Sequence, residues 1–385
     1  MKSKIADLVF IIAFLLMLFL PFVFSDKKGG AIETDENRYL SKAPVLSIHS
    51  GATTEIENWI DDNVGGRAVA KTLYNYVNYN LLNEFRSSTA FVMNDWYYSL
   101  DSENLTLNNL QHKDVMDAAE QKTFVSRLQD LNNYFSDQGI KFCSLVFPYK
   151  VDIYPENFNG YVTQVIPNSE MNVLDTLSQD STLNLKVVNS ELKDAAKNGE
   201  LVCYRSYDGG HLNSQGIRIA YEALMEEVQS RMPEAGIRIL SNSDFTMSIQ
   251  EKQNTVNGQK FSEENVQYSV TNPAAADDSA WFSRIGYISG DPYKSYRRYT
   301  TNDASKPSIL IVGDSYIWME MFPWIAESFN NSVFIHQFDE DNLQRVIDRM
   351  HPDIVVFAGL TTTVEDSVHY SALTTGRTLW SKMHF

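Results

Sequence analysis

The chain has 385 residues, a formal net charge of −17 at pH 7, and aromatic side chains at 12% of its positions. This composition is that of an ordinary globular protein and excludes collagenous, coiled-coil and low-complexity classes. The negative charge opposes phosphate backbones, so nucleic acid is not an expected partner.

Residues 8–24, near the start of the chain, form an uncharged apolar run whose length is close to the minimum for a membrane-spanning helix. Lys2 and Lys4 precede this run, which places the N-terminus in the cytoplasm by the positive-inside rule. No small-residue cleavage pattern follows. We therefore expect an uncleaved single-pass membrane anchor at residues 1–25, with everything after it on the extracytoplasmic side.

A polar stretch with glycines and prolines, residues 26–54, is predicted to be a tether, followed by one domain at residues 55–385. Apolar spacing predicts amphipathic helices between residues 55 and 85. The next predicted elements are a helix at 122–138, a buried strand at 140–147, short strands at 183–188 and 201–204, and a helix at 214–232 that begins at Asn213 or Ser214. Residues 241–299 are polar and rich in Asn, Ser and Gly, and they are predicted to be an irregular insertion.

The C-terminal part alternates strands and helices. Its predicted strands are 308–312, 333–337 and 354–358, and its predicted helices are 318–329 and 341–350. This alternation predicts an α/β fold with a mostly parallel sheet and helices on both faces. Ligands of such sheets bind beyond the carboxyl ends of the strands.

Ser315 occupies such a strand end, directly after Gly313 and Asp314 and at the start of the next helix. A serine there is exposed beside free backbone N–H groups and the helix dipole, which can stabilise an oxyanion. This placement predicts a nucleophile. The alternative is that Asp314 and Ser315 only cap the helix.

A serine hydroxyl needs a base, and the best of the seven histidines is His211. It follows Asp208-Gly209-Gly210, where two glycines allow a tight turn that brings the Asp208 carboxylate to the imidazole. We predict a triad of Ser315, His211 and Asp208. The alternative is a capping turn in which the acid and the imidazole have no catalytic role.

Cys143 and Cys203 are the only cysteines. They are too few and too widely spaced for a zinc site, so neither a metal nor another cofactor is expected. Both lie in apolar runs, which favours buried free thiols over a disulfide.

At Gly313-Asp314-Ser315 and Asp208-Gly209-Gly210-His211 the chain resembles the SGNH (GDSL-type) hydrolase superfamily. Most of its members place the serine first, whereas here the order is reversed. In this permuted order the chain resembles the alginate O-acetyltransferase branch (AlgJ/AlgX-like and DHHW proteins). The stretches at 35–40 and 147–156 carry further marks of that branch. The resemblance implies a flavodoxin-like three-layer α/β/α fold.

The sequence departs from this pattern at two places. Many members of the branch have Asp-x-His-Trp, but here the spacing is one residue longer and Leu212 replaces the tryptophan. The block that supplies an oxyanion-hole asparagine appears as Gly359-Leu360-Thr361-Thr362. The resemblance therefore implies Gly359 and Thr361 as oxyanion or substrate-binding residues.

Three other residues join this set of candidate oxyanion or substrate-binding residues. Tyr316 follows the serine directly. Tyr149 and Lys150 come after the strand at 140–147. The alternative for these last two is a solvated turn.

The resemblance implies O-acetylation of an extracellular polysaccharide through an acetyl-Ser315 intermediate. Its acetyl donor would be delivered by a multi-spanning membrane O-acyltransferase. Two alternatives stay open, a carbohydrate acetylesterase that uses the same triad and a non-catalytic carbohydrate-binding protein on the same fold.

Overall fold

The computed structural model describes residues 8–16, 19, 32–33, 38–44, 51–82, 85–86, 90–93, 95–99, 115–158, 170–256, 259–290, 294–371 and 373. Within the predicted anchor, residues 8–16 and 19 are helical, and the rest of residues 1–25 lies outside the described residues. Across the described residues, no helix combines the length and apolar character needed to span a bilayer.

The chain divides into two compact units. The first contains Met1–Met93 and Gln253–Glu263, and the second contains Asn94–Lys252 and Glu264–Phe385. The elements of the first unit are strands β1 (Ile32–Glu33) and β2 (Arg38–Tyr39), helices α1 (Ala52–Asn63) and α2 (Arg67–Leu82), and strands β3 (Phe85–Arg86) and β4 (Ala90–Met93). The two helices confirm the prediction for residues 55–85.

The second unit carries the main sheet. Its elements before the hairpin are β5 (Trp96–Ser99), α3 (Ala118–Ser136), β6 (Lys141–Phe147), α4 (Lys150–Ile153), α5 (Glu170–Leu177), β7 (Leu185–Val187), α6 (Ser190–Lys197) and α7 (Ser214–Arg231). Asp117 and Glu120 form a capping box that starts α3. The Asn213 side chain accepts a hydrogen bond from the Gly216 N–H and so starts α7, as predicted.

The segment predicted as an irregular insertion instead contains two long strands, which is a correction. Strands β8 (Phe245–Val256) and β9 (Gln259–Val270) pair with each other, and β10 (Ala276–Asp277), α8 (Trp281–Arg284) and β11 (Arg297–Thr300) follow. Most side chains of β8 and β9 are polar and exposed, so the two strands lack the apolar run that marks a buried strand.

The C-terminal elements follow the predicted alternation. They are β12 (Ser308–Gly313), α9 (Ser315–Trp318), α10 (Met321–Ala326), β13 (Asn331–His336), α11 (Leu343–Met350), β14 (Ile354–Leu360) and α12 (Thr361–Tyr370). The single helix predicted at 318–329 is wrong, since α9 and α10 are separate. Pro323 has no backbone N–H, so it cannot donate the hydrogen bond to the carbonyl four residues earlier that one continuous helix would need.

Seven strands form the main sheet in the order β10-β11-β13-β12-β14-β6-β7. The five strands from β13 to β7 are parallel, whereas β11 pairs antiparallel with both of its neighbours, β13 and β10. Side chains of α3, α11 and α12 pack on one face of this sheet, and α7 packs against β6. The predicted α/β fold with a mostly parallel sheet is confirmed. The strand predicted at 201–204 is wrong, because only a single bridge joins Cys203 to Leu212 there.

Candidate active site

Asp208 and His211, which lie on one turn, meet Ser315, which is about a hundred residues further along the chain, at the carboxyl edge of the main sheet. His211 Nε2 lies 2.7 Å from Ser315 Oγ, and His211 Nδ1 lies 3.0 Å from Asp208 Oδ1. The tautomer with its proton on Nδ1 satisfies both contacts, because Nδ1–H donates to the carboxylate and Nε2 accepts from the serine hydroxyl. This is the hydrogen-bond order of a serine, its base and the acid that orients the base.

The end of β12 presents the Ser315 hydroxyl. Gly313 has no space for a side chain, because a Cβ there would collide with the Ala358 carbonyl of the neighbouring strand. Asp314 caps α9 by accepting a hydrogen bond from Tyr316 N–H at 2.9 Å. Within the described part of the chain, the backbone N–H of Ser315 donates no hydrogen bond. That N–H can therefore donate to an oxyanion.

A tight turn holds the imidazole of His211. The Asp208 Oδ1 atom accepts the backbone N–H groups of Gly210 and His211, both at 2.8 Å, in addition to the imidazole. On the other side of the turn, Ser99 N–H donates to the Gly209 carbonyl at 3.1 Å, and a Cβ at Gly209 would collide with the Ser99 backbone. The glycine is thus required by the close approach of β5.

The same contacts set the charge of Asp208. Burial by itself would raise the pKa of this carboxyl, but the adjacent imidazole and the two N–H donors outweigh it and hold the pKa well below its usual range. The carboxylate is therefore ionised at any pH at which His211 can act as a base. An ionised partner stabilises the imidazolium that forms when the serine loses its proton.

Tyr316 connects the serine segment to the histidine turn. Its hydroxyl donates to the Gly210 carbonyl at 2.5 Å, and its ring lies 5.3 Å from the His211 ring and 6.0 Å from Phe147. The side chain is buried, which raises the pKa of its hydroxyl well above the ordinary value. Tyr316 also lines the cavity beside Ser315.

Lys150 does not line this cavity, contrary to the expectation, and it is not in a solvated turn either. Its side chain is 2% exposed, and Nζ donates to the carbonyls of Tyr97 at 2.5 Å, Asp208 at 3.0 Å and Arg205 at 3.4 Å. The ammonium also lies 4.8 Å from the centre of the Tyr98 ring. Lys150 therefore holds the backbone that leads into the histidine turn.

The other three predicted residues also lie outside the cavity lining. Tyr149 is buried, with its hydroxyl 2.8 Å from Thr362 Oγ1. Gly359 lies against the Asp314 carboxylate, which would collide with any Cβ there. Thr361 is buried, and its hydroxyl contacts no hydrogen-bonding partner among the described residues. Asp314 lies beside Gly359, and its Oδ2 atom accepts hydrogen bonds from Leu360 N–H and Thr363 Oγ1–H.

A cavity with a volume of about 290 Å³ opens beside Ser315. This volume is close to the lower limit of those usual for ligand-binding pockets. The cavity lining includes the predicted triad and eight residues that the sequence did not indicate as site residues, namely Tyr204, Tyr207, Leu212, Ile217, Lys252, Gln267, Met319 and Glu320. Lys252 and Gln267 come from the hairpin strands β8 and β9. Their polarity was visible in the sequence, but nothing local placed them near residue 315.

Fold and site together define an α/β protein with a Ser, His and Asp chain at the carboxyl edge of a mostly parallel sheet. No protein-family model matches the chain, and no curated protein matches it.

Solved structures do match. The structure of Bacillus cereus PatB1 with a sulfonyl adduct is 13% identical, covers 75% of this chain and 99% of its own, and gives a TM-score of 0.54. A DHHW family protein from Eubacterium siraeum is 14% identical, with coverage of 77% and 98% and a TM-score of 0.48. The O-acetyltransferase domain of Pseudomonas putida AlgJ is 11% identical, with coverage of 75% and 100% and a TM-score of 0.44. The PatB1 match confirms the predicted resemblance at the level of the fold.

Proposed function

We propose that this protein is an extracytoplasmic O-acetyltransferase that modifies hydroxyl groups of a cell-surface or secreted polysaccharide. The observation that carries this proposal is the continuous hydrogen-bonded chain from Asp208 through His211 to Ser315 beside an open cavity. The fold shared with PatB1 supports it, as does the motif order of the AlgJ/AlgX-like branch.

The reaction consists of two acyl transfers. In the first, Ser315 Oγ attacks the acetyl carbonyl while His211 Nε2 takes the hydroxyl proton, and that proton then goes to the leaving group of the donor. In the second, His211 removes a proton from a sugar hydroxyl, whose oxygen attacks acetyl-Ser315. The acetyl–serine bond breaks, the sugar ester leaves, and the proton returns to Ser315. The Ser315 N–H donates to the oxyanion of each tetrahedral intermediate.

The location belongs to the same proposal. We propose that residues 1–25 anchor the chain in the cell membrane, that residues 26–54 act as a tether, and that residues 55–385 form the acyltransferase domain outside the cytoplasm. A donor that reaches this side of the membrane must be carried across it, which suits a multi-spanning membrane O-acyltransferase as the source of acetyl groups.

The test begins with phenylmethylsulfonyl fluoride on the purified full-length chain, because a sulfonyl group modifies an activated serine. We expect one modified residue, Ser315, located by peptide mass spectrometry, and no modification in Ser315→Ala. Ser305→Ala is the matched control, since Ser305 is an exposed serine whose hydroxyl donates to Asp303 in a surface turn. If the wild type binds oligosaccharide but is never modified, a non-catalytic binding protein on this fold is the better description.

The second measurement separates transfer from hydrolysis. The wild type is incubated with 4-nitrophenyl acetate, with and without oligosaccharides, and acetylated sugar is followed by mass spectrometry. We expect acetyl-Ser315 to accumulate and then to pass its acetyl group to sugar. Release of acetate alone under every condition would identify an esterase instead.

A further inference from the structure

Three polar side chains on one wall of the cavity have no role in the triad. Lys252 on β8, Gln267 on β9 and Glu320 between α9 and α10 line the same cavity as Ser315. Two of the three therefore come from the hairpin that the motif resemblance does not cover.

Hydrogen bonds fix two of these side chains, Gln267 and Glu320, in place. Glu320 Oε1 accepts from Gln267 Nε2 at 2.6 Å and from the Ser214 hydroxyl, and Gln267 Nε2 also donates to Ser214 Oγ at 3.0 Å. The neighbouring Tyr268 donates its hydroxyl to Gln215 at 2.7 Å, which holds β9 against the start of α7. The wall is thus preorganised by the segment that directly follows His211.

The outer polar atoms of the wall remain available. Within the described part of the chain, Glu320 Oε2, Gln267 Oε1 and Lys252 Nζ form no hydrogen bond. Burial raises the pKa of Glu320, and the hydrogen bonds from Ser214 and Gln267 and the charge of Lys252 act against that rise. The wall therefore offers two acceptors and one donor whose formal charges cancel.

The rest of the lining suits a sugar ring. Tyr204 and Tyr207 contact each other edge to face, with ring centres 4.9 Å apart, and Leu212, Ile217 and Met319 add apolar surface. Rigid aromatic rings beside a few fixed polar groups are the usual means of binding a ring that has apolar faces and hydroxyl edges.

We infer that Lys252, Gln267 and Glu320 form the acceptor subsite, which binds the hydroxyl groups of an uncharged sugar residue beside acetyl-Ser315. This inference rests on the proposed function and adds the substrate class and the residues that select it. An uncharged sugar fits because the Glu320 carboxylate would repel a uronate, while Lys252 already balances the charge of Glu320. Filling this subsite places a sugar hydroxyl, rather than water, next to His211.

The experiment measures how acetyl-Ser315 divides between sugar and water. Full-length wild type, Lys252→Met and Glu320→Gln are given 4-nitrophenyl acetate with cellotetraose or chitotetraose, and acetylated sugar is compared with free acetate. This ratio does not depend on how fast acetyl-Ser315 forms. We expect each substitution to lower the ratio about tenfold by raising the KM for the sugar, as expected when a hydrogen bond to a charged group is lost.

Two further variants separate recognition from simple disturbance of the fold. Lys260→Met changes an exposed lysine on the same hairpin and should leave the ratio unchanged. Lys252→Arg keeps a cation and should restore at least part of the transfer. An unchanged ratio in both Lys252→Met and Glu320→Gln overturns the acceptor subsite while leaving the proposed function intact.

The remaining outcomes are equally decisive. Faster acetylation of tetragalacturonate than of the neutral probes, or no transfer to either neutral probe, overturns the assignment of an uncharged acceptor. Failure of the wild type to form acetyl-Ser315 overturns the proposed function, and the acceptor subsite with it.

Discussion

The buried ammonium of Lys150 provides the strongest test of how the site is held together. Lys150→Met keeps most of the side-chain volume but removes the donor to the carbonyls of Tyr97 and Asp208 at 2.5 and 3.0 Å. Each buried carbonyl that loses its donor costs roughly 1–3 kcal/mol, or about 2–6 kcal/mol for the two. Methionine avoids the desolvation cost of a buried ammonium, so we expect a net loss of about 2–3 kcal/mol. In calorimetry this corresponds to a fall in Tm of about 3–5 °C for a unit of roughly 280 residues.

The same substitution should slow acylation of Ser315, although Lys150 does not line the cavity. Because Lys150 holds the Asp208 backbone, the imidazole loses its fixed orientation, and displacement of a catalytic group by about 1 Å costs roughly a hundredfold in rate. We expect acetyl-Ser315 to form ten to a hundred times more slowly in stopped-flow assays, by the same estimate. Lys197→Met is the control, since the Lys197 side chain is 74% exposed. A Lys150→Met protein with unchanged Tm and unchanged acylation would refute this account of the buried lysine.

Three further predictions concern groups around the site and the core. Tyr316→Phe removes the hydrogen bond to the Gly210 carbonyl, so we expect the free energy of unfolding in urea titration to fall by about 1 kcal/mol. We also expect acylation of Ser315 to slow, and an acylation rate equal to that of the wild type would contradict a positioning role for Tyr316. Asp208→Asn should slow acylation about a thousandfold or more in burst assays, because a neutral amide cannot stabilise the imidazolium. Burial and the adjacent Glu170 raise the pKa of Glu365 well above its unfolded value, so its contribution to stability is full at low pH and is lost as the pH rises through the folded pKa. The Tm of Glu365→Gln should therefore fall less between pH 5 and pH 8 than that of the wild type, and parallel curves would argue against the raised pKa.

The parts of the site that were predictable are those written in short, local patterns. A β-branched run followed by Gly313-Asp314-Ser315 predicts a strand, a turn and a serine at a sheet edge, because each step depends on neighbours in the chain. Asp208 and His211 are likewise connected by a turn of three residues. The meeting of the two segments was a hypothesis based on chemistry, since a serine hydroxyl needs a base beside it, and no local pattern in the sequence predicts it.

The role of Lys150 depended on contacts that no local pattern contains. Its position after a strand was visible, but its three acceptors are carbonyls at Tyr97, Arg205 and Asp208. A backbone carbonyl exists at every residue, so the sequence cannot show which ones a lysine will reach. The alternative of a solvated turn at Lys150 is wrong because the sequence does not show that these carbonyls converge on the lysine side chain.

The hairpin, in contrast, has a local signal in the sequence. Asn257-Gly258 separates β8 from β9, and this dipeptide is among the strongest indications of a two-residue hairpin turn. The flanking strands alternate only weakly, because Phe245, Phe261 and Tyr268 are among the few buried apolar residues in 24 strand positions, 12 in each strand. A segment with both of its faces mostly polar resembles a loop in composition even when its two strands pair with each other.

The unusual spacing at Asp208 has a structural explanation. In a tight turn, an acid three residues before the histidine can cap the turn and bind the imidazole with the same oxygen, and Asp208 Oδ1 does both. The Asp208 carboxylate therefore has two backbone N–H donors in addition to the imidazole. Leu212, in the place of the tryptophan, lines the cavity and forms a bridge to Cys203. Asp208 and His211 are thus held within one hydrogen-bonded turn, against which the Tyr316 ring packs.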